Sequence, residues 1–312
     1  MSESNLNAEK LVGIEVSKTT FRAVSLDASG NLIGEYKIGI GAAEQETFAQ
    51  LISFINETKN QFGNFHKIGV AVPGLVHQET KRIAFSTYIP EHEEIDFLSR
   101  MEAASGLKIT IENDANAAAY GEFILGAGRG SRNLFYATIG TGIGGALIFD
   151  GKIWRGASGF AGEFGQTAIN SDGMKLEDVA SSANIVRRTR NRFHQDSTSS
   201  LGKLDEEEIR LQDVVRAAQN DDDFARLMLE RTGTYVGTAI AGVINLLNIE
   251  KIVIGGVIIQ AENLVLDAII KRARELSFAP SFEATRIVGG QLGTNAAAVG
   301  AALLSRETSN AV

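Results

Sequence analysis

The chain has 312 residues, a formal net charge of −8 and a sequence pI near 5.2, and it contains 33 glycines, 3 prolines and no cysteine. Without cysteine there is no disulfide framework, iron–sulfur cluster, thiol nucleophile or cysteine-ligated zinc. The four histidines, His66, His77, His92 and His194, lack metal-ligand spacing. At roughly 150 residues per domain, the length predicts two domains.

The acidic balance is typical of a soluble protein and argues against a nucleic-acid-binding surface. The first ten residues, MSESNLNAEK, lack the charged-then-apolar pattern of a signal peptide. No apolar run approaches the ~18 residues of a membrane span. We therefore expect a cytoplasmic protein whose partners include neither membrane nor nucleic acid.

The first structured segment contains an apolar run from Leu11 to Val16, a second from Phe21 to Leu26, the turn DASGN and a third run. This pattern predicts a three-stranded antiparallel meander. The later segment LFYATIGTGIGGALIFDGKIWRG repeats the plan when Leu134 is laid on Leu11. We interpret the repeat as an internal duplication.

Strand and helix patterns alternate after each meander, which predicts an α/β fold. In the first half they are the helix AEQETFAQLISFINETKNQFG, the strand KIGVAVPG, the helix IDFLSRMEAASG, the strand KITIEND and the helix ANAAAYGEFILGAG. In the second half they are the helices LEDVASSANIVRRTRNRF, DEEEIRLQDVVRAAQ and FARLMLERTGTYVGTAIAGVINLLN, the strand KIVIGG, and the helices ENLVLDAIIKRAREL and GTNAAAVGAALL. Asp205 and Glu208 are spaced like a capping box.

The segment Gly140 to Gly145 fits the dinucleotide fingerprint G-x-G-x-x-G. A Rossmann fingerprint opens a helix, whereas here ALIF and the turn Asp150-Gly151 continue as strand, so we reject that interpretation. A glycine hairpin loop can instead present backbone N–H groups to a phosphate. The alternative is a tight turn without a ligand, but four glycines in six residues exceed what a hairpin needs.

Ser17-Lys18-Thr19-Thr20 resembles the end of a P-loop, but no G-x-x-x-x-G precedes it, so a Walker A motif is rejected. The duplication makes this segment the counterpart of the glycine-rich segment. We expect it on the opposite face of an interdomain cleft.

Glu112-Asn113-Asp114 ends a strand and enters a helix. Either Asn113 or Asp114 could simply be the N-cap of that helix. A carboxylate at this end of a strand could also accept a proton from a substrate hydroxyl. The residues alone leave both interpretations open.

Two further glycine-rich segments have a functional and a structural interpretation. Glu163 and Gln166 lie in GEFGQ, where a carboxylate and an amide suit sugar hydroxyls, although a solvated loop would look the same. Gly255-Gly256 follows the strand KIVI and would let a base or a phosphate approach the backbone, although a plain strand-to-helix turn also fits.

These segments, in this order, resemble the ROK family (repressor, open reading frame, kinase), which comprises bacterial sugar kinases and sugar-responsive repressors. The resemblance runs from Leu11 to Leu304. It is carried by IGVAVPGLV, ENDANAAAYGEFILGAGRG, TIGTGIGGALIFDGKIWRG, GFAGEFG, LEDVASSANIVRR, IVIGG and LGTNAAAVGAALL.

The resemblance implies two actin-like ATPase (ribonuclease H-like) α/β domains with an interdomain cleft. We place the small N-terminal domain at residues 1–116 plus 293–312 and the larger C-terminal domain at residues 117–292. It also implies ATP and Mg²⁺ as cofactors, a hexose or N-acetylhexosamine as substrate, and a homodimer.

Site residues are carried over from the family position by position. Asp114 becomes the base that takes the proton from the sugar 6-hydroxyl in an in-line phosphoryl transfer. The implied sugar-binding residues are Gly74, Asn113, Glu163, Gln166 and Glu177. The implied ATP-binding residues are Glu15, Lys18, Thr19, Gly140, Thr141, Gly142, Gly144, Gly255 and Gly256.

The chain departs from the family at several of these positions. Kinases of the family open with Asp-x-Gly-Gly-Thr, whereas this chain has Glu15-Val16-Ser17-Lys18-Thr19. Lys18 therefore either supplies a charge to phosphate or helps to fill the phosphate site. Tyr88 replaces a sugar-binding Asn, and Gln166 replaces a His that holds zinc together with a Cys-rich loop. Because that loop is missing too, we expect no zinc.

The leading hypothesis is a glucokinase-like hexose kinase. The alternative is a sugar-binding sensor of the same family with impaired catalysis. A DNA-binding repressor of this family needs an additional N-terminal helix-turn-helix, and ten residues precede Leu11, so we do not expect direct DNA binding. A scaffold that keeps the fold without a ligand is the third possibility.

Overall fold

The computed structural model describes residues 10–40, 47–63, 65–77, 79–86, 88–89, 96–193, 198–261 and 263–307. The strands are β1 (Leu11–Val16), β2 (Thr20–Leu26), β3 (Leu32–Gly39), β4 (Lys67–Val72), β5 (Leu75–Val76), β6 (Ile83–Phe85), β7 (Lys108–Asn113), β8 (Leu134–Ile139), β9 (Ile143–Phe149), β10 (Lys152–Trp154), β11 (Lys251–Gly255) and β12 (Arg286–Gly289). The helices are α1 (Thr47–Phe62), α2 (Phe97–Ser105), α3 (Asp114–Leu125), α4 (Glu177–Ala180), α5 (Ser182–Arg190), α6 (Leu211–Gln219), α7 (Asp223–Leu247), α8 (Asn263–Leu276), α9 (Ala279–Glu283) and α10 (Ala296–Glu307).

Two five-stranded sheets have the same plan. Their strand orders are β3-β2-β1-β4-β7 and β10-β9-β8-β11-β12. In each sheet an antiparallel hairpin, β1–β2 or β8–β9, continues into parallel strands. The repeated order confirms the α/β class and the duplicated meander. β12, the last strand of the second sheet, was not predicted, because its four residues are only half-buried or exposed and carry a weak apolar pattern.

The chain divides into two units. The first unit comprises Met1–Arg129, Lys152–Ala161 and Thr294–Val312, and the second comprises Gly130–Gly151 and Gly162–Gly293. The predicted domain boundary, 1–116 plus 293–312 against 117–292, stays a prediction.

The first unit has an aromatic layer on one side of its sheet. Phe21 and Phe54 lie 5.6 Å apart between ring centroids, and Tyr36 stacks on Phe54 at 5.3 Å. Phe48 meets Phe97 edge to face at 5.2 Å, which joins α1 to α2. These contacts explain why the apolar faces predicted for the two helices are buried.

Helix α10 packs onto the same sheet backbone to backbone. A Cβ atom on Gly13 of β1 would overlap the carbonyl oxygen of Ala298, and one on Gly69 of β4 would overlap that of Ala301. On another face of α10, a Cβ on Gly300 would overlap the carbonyl oxygen of Ala117 in α3. Glycine at these three positions is therefore required by helix packing.

The second unit is centred on the 25-residue helix α7. Gly233 and Gly237 let α7 approach α8, since a Cβ on either would lie 2.7 Å from the carbonyl oxygen of Val265 or Ile269, respectively. The hydrophobic core of this unit is formed by side chains of α7 together with side chains of α5, α6 and α8, such as Ile185, Val214 and Ile269.

The predicted capping box at Asp205 and Glu208 is wrong. Residues 206–208 form a single 3₁₀ turn, and among the described residues the Asp205 side chain makes no capping hydrogen bond. Ile209 is fully buried with a non-helical backbone and Arg210 is extended, so α6 begins only at Leu211. There the Asp213 carboxylate accepts a hydrogen bond from the backbone N–H of Arg210 at 2.9 Å.

Two other predicted helices differ in their limits. The segment 176–193 contains two helices, α4 and α5, because the chain is extended at Ser181. Residues 43–46 of the first predicted helix lie outside the described residues, and α1 is described from Thr47. Within the described ranges, no helix combines the length and the apolar character that a membrane span requires.

The packing of α10 can be tested with a matched pair of glycine variants. Gly69→Ala should lower the free energy of unfolding of the first unit by about 1–3 kcal/mol, since the added methyl group overlaps the Ala301 carbonyl. Gly39→Ala, on a strand position with nothing within 4 Å of the new methyl group, should change it by less than about 0.5 kcal/mol. Urea unfolding followed by circular dichroism measures both, and equal midpoints would contradict the packing argument.

Candidate active site

The first group of predicted site residues lies where β7 enters α3. Asn113 is the N-cap of α3, and its Oδ1 atom accepts a hydrogen bond from the backbone N–H of Asn116 at 3.0 Å. Asp114 is the first residue of the helix, and its Oδ1 atom accepts from the backbone N–H of Ala115 at 2.8 Å. The structure thus assigns the cap to Asn113, so the carboxylate of Asp114 is not needed for that purpose. It lies in the first turn of α3.

Gly74 belongs to the same group. The Asn113 side chain donates a hydrogen bond from Nδ2 to the carbonyl oxygen of Gly74 at 2.9 Å. Gly74 has φ = +144°, and a Cβ there would overlap the carbonyl oxygen of Phe85. A side chain at this position would therefore displace the loop that contacts Asn113.

A partly buried ion pair supports this cap and was not predicted from the sequence. Glu112 accepts hydrogen bonds at Oε2 from Nε and Nη2 of Arg155, at 3.0 and 2.5 Å. Its Oε1 atom accepts from the backbone N–H of Asn113 and from Nδ2 of Asn116, both at 3.0 Å. A glutamate in a buried strand signals a need for a cation, but the sequence does not show which arginine supplies it.

Glu15 is an electrostatic neighbour of Asp114. It lies on β1 opposite Arg22 of β2, with 3.7 Å between Oε2 and the arginine Nε. Burial and then the negative charge of Asp114 raise the pKa of Glu15 to about 7, and the charge of Arg22 opposes the shift. The structure therefore brings Glu15 to the Asp114 group, a proximity that was not predicted from the sequence.

The turn after Glu15 is closed by its own hydrogen bonds. The backbone N–H and the hydroxyl of Ser17 both donate to the carbonyl oxygen of Thr20, at 3.0 and 2.8 Å. The carbonyl oxygen of Thr19 accepts from the backbone N–H of Ile40 at 2.8 Å. The ammonium group of Lys18 lies 5.7 Å from the ring centroid of Tyr88. Of the two interpretations of Lys18, a loop filled by side chains is the one that this contact favours.

The second group of predicted site residues lies between β8 and β9, and we call residues 140–142 the glycine loop. The backbone N–H of Gly140 donates to the carbonyl oxygen of Gly142 at 3.0 Å. A Cβ on Gly140 would have its nearest neighbour at 3.9 Å, so close packing does not explain the glycine at this position. Gly144 and Gly145 belong to β9, opposite Thr138 and Ala137. The loop is therefore shorter than the segment predicted from the sequence.

Glu177 contacts the glycine loop, while Glu163 and Gln166 lie on the adjoining turn. Oε2 of Glu177 accepts a hydrogen bond from the backbone N–H of Ile143 at 2.7 Å. Glu163 is exposed, and partial desolvation of its carboxyl group together with the charge of Glu177 raises its pKa. Oε1 of Gln166 accepts from the ammonium group of Lys175 at 2.8 Å.

Gly255 and Gly256 have a packing explanation that the sequence did not reveal. A Cβ on Gly255 would overlap the hydroxyl group of Tyr136. Gly256 has φ = +84°, and a Cβ there would lie 2.6 Å from the backbone nitrogen of Ile139. The fold requires both glycines whether or not a nucleotide lies beside them.

Comparison with known proteins identifies the family. The model of the ROK family matches residues 11–308. The chain belongs to the ROK family.

ROK proteins of different kinds resemble this chain to a similar degree. A glucokinase of Halalkalibacterium halodurans is 28% identical, over 96% of each chain. A xylose repressor of Bacillus spizizenii is also 28% identical, over 95% of this chain and 77% of the repressor. The crystal structure of a ROK glucokinase from Streptomyces griseus with glucose and AMPPNP superposes with a TM-score of 0.83 at 26% identity, over 96% of this chain and 99% of that one. This likeness confirms the predicted actin-like α/β fold.

The hairpin of residues 167–176 occupies the position where the ROK resemblance placed the zinc-binding loop. The backbone N–H of Ile169 donates to the carbonyl oxygen of Met174 at 2.8 Å, and Oδ1 of Asn170 accepts from the backbone N–H groups of Asp172 and Met174. The bond between Gln166 and Lys175 joins this hairpin to the preceding turn. In the part of the chain that the structure describes, no three His, Cys, Asp or Glu side chains gather to hold a metal ion.

Glycines of this ROK chain can be sorted by their tolerance of a methyl group. Gly255→Ala should destabilise the second unit by about 1–3 kcal/mol, because the methyl group overlaps the Tyr136 hydroxyl. Gly140→Ala should change the stability by less than about 0.5 kcal/mol, because the space beside it is open. Thermal unfolding of both variants checks this, and a marked loss of stability in Gly140→Ala would show that the loop is a packing element.

The raised pKa of Glu15 predicts a specific pH dependence of stability. The folded protein holds this proton up to about pH 7, whereas the unfolded chain releases it near its ordinary pKa of 4.5. The contribution of Glu15 to stability therefore falls as the pH rises from about 4.5 to 7. Glu15→Gln removes that fall, and we expect it to gain about 1–2 kcal/mol over the wild type at pH 8 but not at pH 4.5. Parallel urea-midpoint profiles for the two proteins would refute this.

Proposed function

We propose that the chain transfers the γ-phosphoryl group of ATP to a hexose, with the sugar 6-hydroxyl as acceptor. The observation that supports this best is the arrangement at the start of α3. Asn113 makes the helix cap and contacts Gly74, and the adjacent Asp114 carries a carboxylate that the cap does not use. The relatives with a glucokinase name and the structure with glucose and AMPPNP favour the same reaction.

In this reaction the hydroxyl oxygen of the sugar forms a bond to the γ-phosphorus, and the bond from that phosphorus to the bridging oxygen of ADP breaks. Asp114 accepts the hydroxyl proton on its carboxylate. Glu112 fixes the backbone and side chains around the cap through its four accepted hydrogen bonds. The chain's own contribution is therefore positioning of the base and of the sugar.

The sugar-binding residues in the proposal are Asn113, the backbone at Gly74, Glu163, Gln166 and Glu177. Carboxylates accept and amides donate the hydrogen bonds that sugar hydroxyls require. Two of the positions that differ from the family contact lysines. Gln166 accepts a hydrogen bond from Lys175, and the ammonium group of Lys18 lies over the ring of Tyr88. The proposal therefore covers hexoses and N-acetylhexosamines without choosing one.

The phosphates of ATP are assigned to the backbone of the glycine loop at Gly140, Thr141 and Gly142, where a Cβ on Gly140 would have no atom closer than 3.9 Å. When bound, Mg²⁺ would neutralise phosphate charge. It is commonly held by one or two carboxylates and by the phosphates themselves, so the lack of a three-residue metal cluster among the described residues is compatible with it. The other predicted ATP-site residues remain predictions: Glu15, Lys18, Thr19, Gly144, Gly255 and Gly256. The homodimer and the cytoplasmic location remain predictions too.

A sugar sensor without kinase activity is the second candidate. The turn of residues 17–20 favours it, because Ser17 and Thr20 close the turn with hydrogen bonds to each other and Lys18 lies beside the ring of Tyr88. The xylose repressor that covers 95% of this chain shows that this family also contains proteins named for regulation. Such a protein would bind a sugar without binding ATP.

A coupled ADP-release assay over a panel of hexoses and N-acetylhexosamines tests the proposal. With the best sugar, Asp114→Asn should lower kcat by at least about 100-fold, because the proton loses its acceptor. The KM for the sugar should change much less, since Asn113 and Gly74 are retained.

Asp96→Asn is the matched control. Asp96 is an exposed N-cap residue of α2 whose Oδ1 atom accepts from the backbone N–H of Ser99 at 3.1 Å, and an amide can keep that bond. We expect it to retain wild-type turnover. Full turnover in Asp114→Asn would exclude Asp114 as the base. Calorimetry that detects sugar binding but no binding of ATP with Mg²⁺ would favour the sensor.

A further inference from the structure

Glu177 holds the residue that follows the glycine loop. Its Oε2 atom accepts a hydrogen bond from the backbone N–H of Ile143, the first residue after the loop, at 2.7 Å. The same oxygen lies 3.0 Å from where a Cβ on Gly142 would be, and 3.3 Å from where a Cβ on Gly165 would be. Two glycines from different segments therefore leave the space that this one carboxylate oxygen occupies.

The other end of the glycine loop is tied to the same pair of helices. The backbone N–H of Ser182, at the start of α5, donates to the carbonyl oxygen of Gly140 at 2.8 Å. Nδ2 of Asn184 donates to the carbonyl oxygen of Glu177 and to the hydroxyl of Ser181, both at 2.9 Å. The residues on both sides of Thr141 and Gly142 are thus anchored to the α4–α5 segment, with Glu177 as the side-chain anchor.

The charge of Glu177 is informative about its role. A carboxylate that accepts from a backbone N–H makes a stronger bond than a neutral acceptor, so it can fix the direction of that peptide group. A carboxylate also repels a phosphate, so it is unsuited to be a phosphate ligand. An anchor that orients the loop while facing away from the phosphate satisfies both conditions.

We propose that Glu177 is a positioning residue for the phosphate-binding glycine loop, acting through its hydrogen bond to Ile143. This inference rests on the proposed function for its ligand, ATP, but the hydrogen bond can be tested without any ligand. It differs from the role implied by the family resemblance, in which Glu177 only holds the sugar.

Three variants separate these roles. Glu177→Ala removes the acceptor. Glu177→Gln keeps a side-chain oxygen at the same reach and removes only the charge. Glu163→Ala is the matched control, because it removes a neighbouring carboxylate on which the charge of Glu177 acts, without removing the bond from Ile143 to Glu177.

Amide hydrogen exchange of Ile143 in the ligand-free protein is the first measurement. Exchange should be at least about tenfold faster in Glu177→Ala than in the wild type, because the bonded amide loses its acceptor. Exchange in Glu163→Ala should stay within about threefold of the wild type, and exchange in Glu177→Gln should lie between those of the wild type and Glu177→Ala, because its neutral oxygen is a weaker acceptor. Wild-type exchange in Glu177→Ala would overturn the proposal.

Calorimetric titration with AMPPNP and Mg²⁺ is the second measurement. Glu177→Ala should bind the nucleotide about tenfold more weakly, and Glu177→Gln, whose neutral oxygen accepts a weaker hydrogen bond, should have an affinity between those of Glu177→Ala and the wild type. Unchanged nucleotide affinity in Glu177→Ala, with the loss confined to the sugar KM and shared by Glu177→Gln, would leave only the sugar-holding role.

The failure of the proposed function gives a different result. If the wild type does not bind AMPPNP at all, the kinase assignment fails while the exchange of Ile143 still reports on the anchor. If Glu177→Ala does not fold, Glu177→Asp takes its place. Its carboxylate is one methylene shorter, so we expect faster Ile143 exchange and weaker nucleotide binding, and wild-type values for both would overturn the proposal.

Discussion

The close approach of α10 to β1, β4 and α3 is the constraint on which the first unit depends. Main-chain atoms of α10 lie where Cβ atoms would be on Gly13 and Gly69, and Gly300 of α10 admits the backbone of α3 in the same way. Packing at this distance allows very little adjustment, so α3 has one position relative to the sheet. Asn113 and Asp114 are at the start of α3, and their placement at the end of β7 follows from that packing.

The second sheet repeats the strand order of the first, but the loop between its strands β8 and β9 is fixed in a different way. In the first unit, the turn after β1 is closed by the Ser17 side chain and by its own backbone. In the second unit, the glycine loop is anchored by Glu177 and by the backbone of Ser182. Glycines in a loop provide room for a ligand but no rigidity, so an external anchor is what such a loop requires. The two halves of the duplication have thus diverged in how rigidity is supplied, and not in topology.

Much of the fold could be predicted because it depends on local pattern. The alternation of apolar residues around Leu11 and Leu134 gave both meanders, and the long apolar faces gave the major helices. The start of α6 could not be predicted, because the burial of Ile209 is a tertiary effect that overrides the attractive spacing of Asp205 and Glu208. Likewise, the sequence suggested that Gly255 leaves room for a ligand, but the space beside it is occupied by the hydroxyl group of Tyr136. The choice between Asn113 and Asp114 as the cap needed the coordinates, since both side chains can cap a helix.

The ion pair between Glu112 and Arg155 carries a consequence for how variation in this chain should be interpreted. Glu112 joins β7, the cap of α3 and the segment that contains Arg155 through both of its carboxylate oxygens. An arginine 43 residues further along the chain thereby stabilises the end of β7 and the cap of α3, which position Asp114. Substitutions of Arg155 would therefore lower activity by loosening the position of Asp114, without touching the substrate. Positions at which substitutions impair function would consequently include residues well outside the set that contacts the substrate.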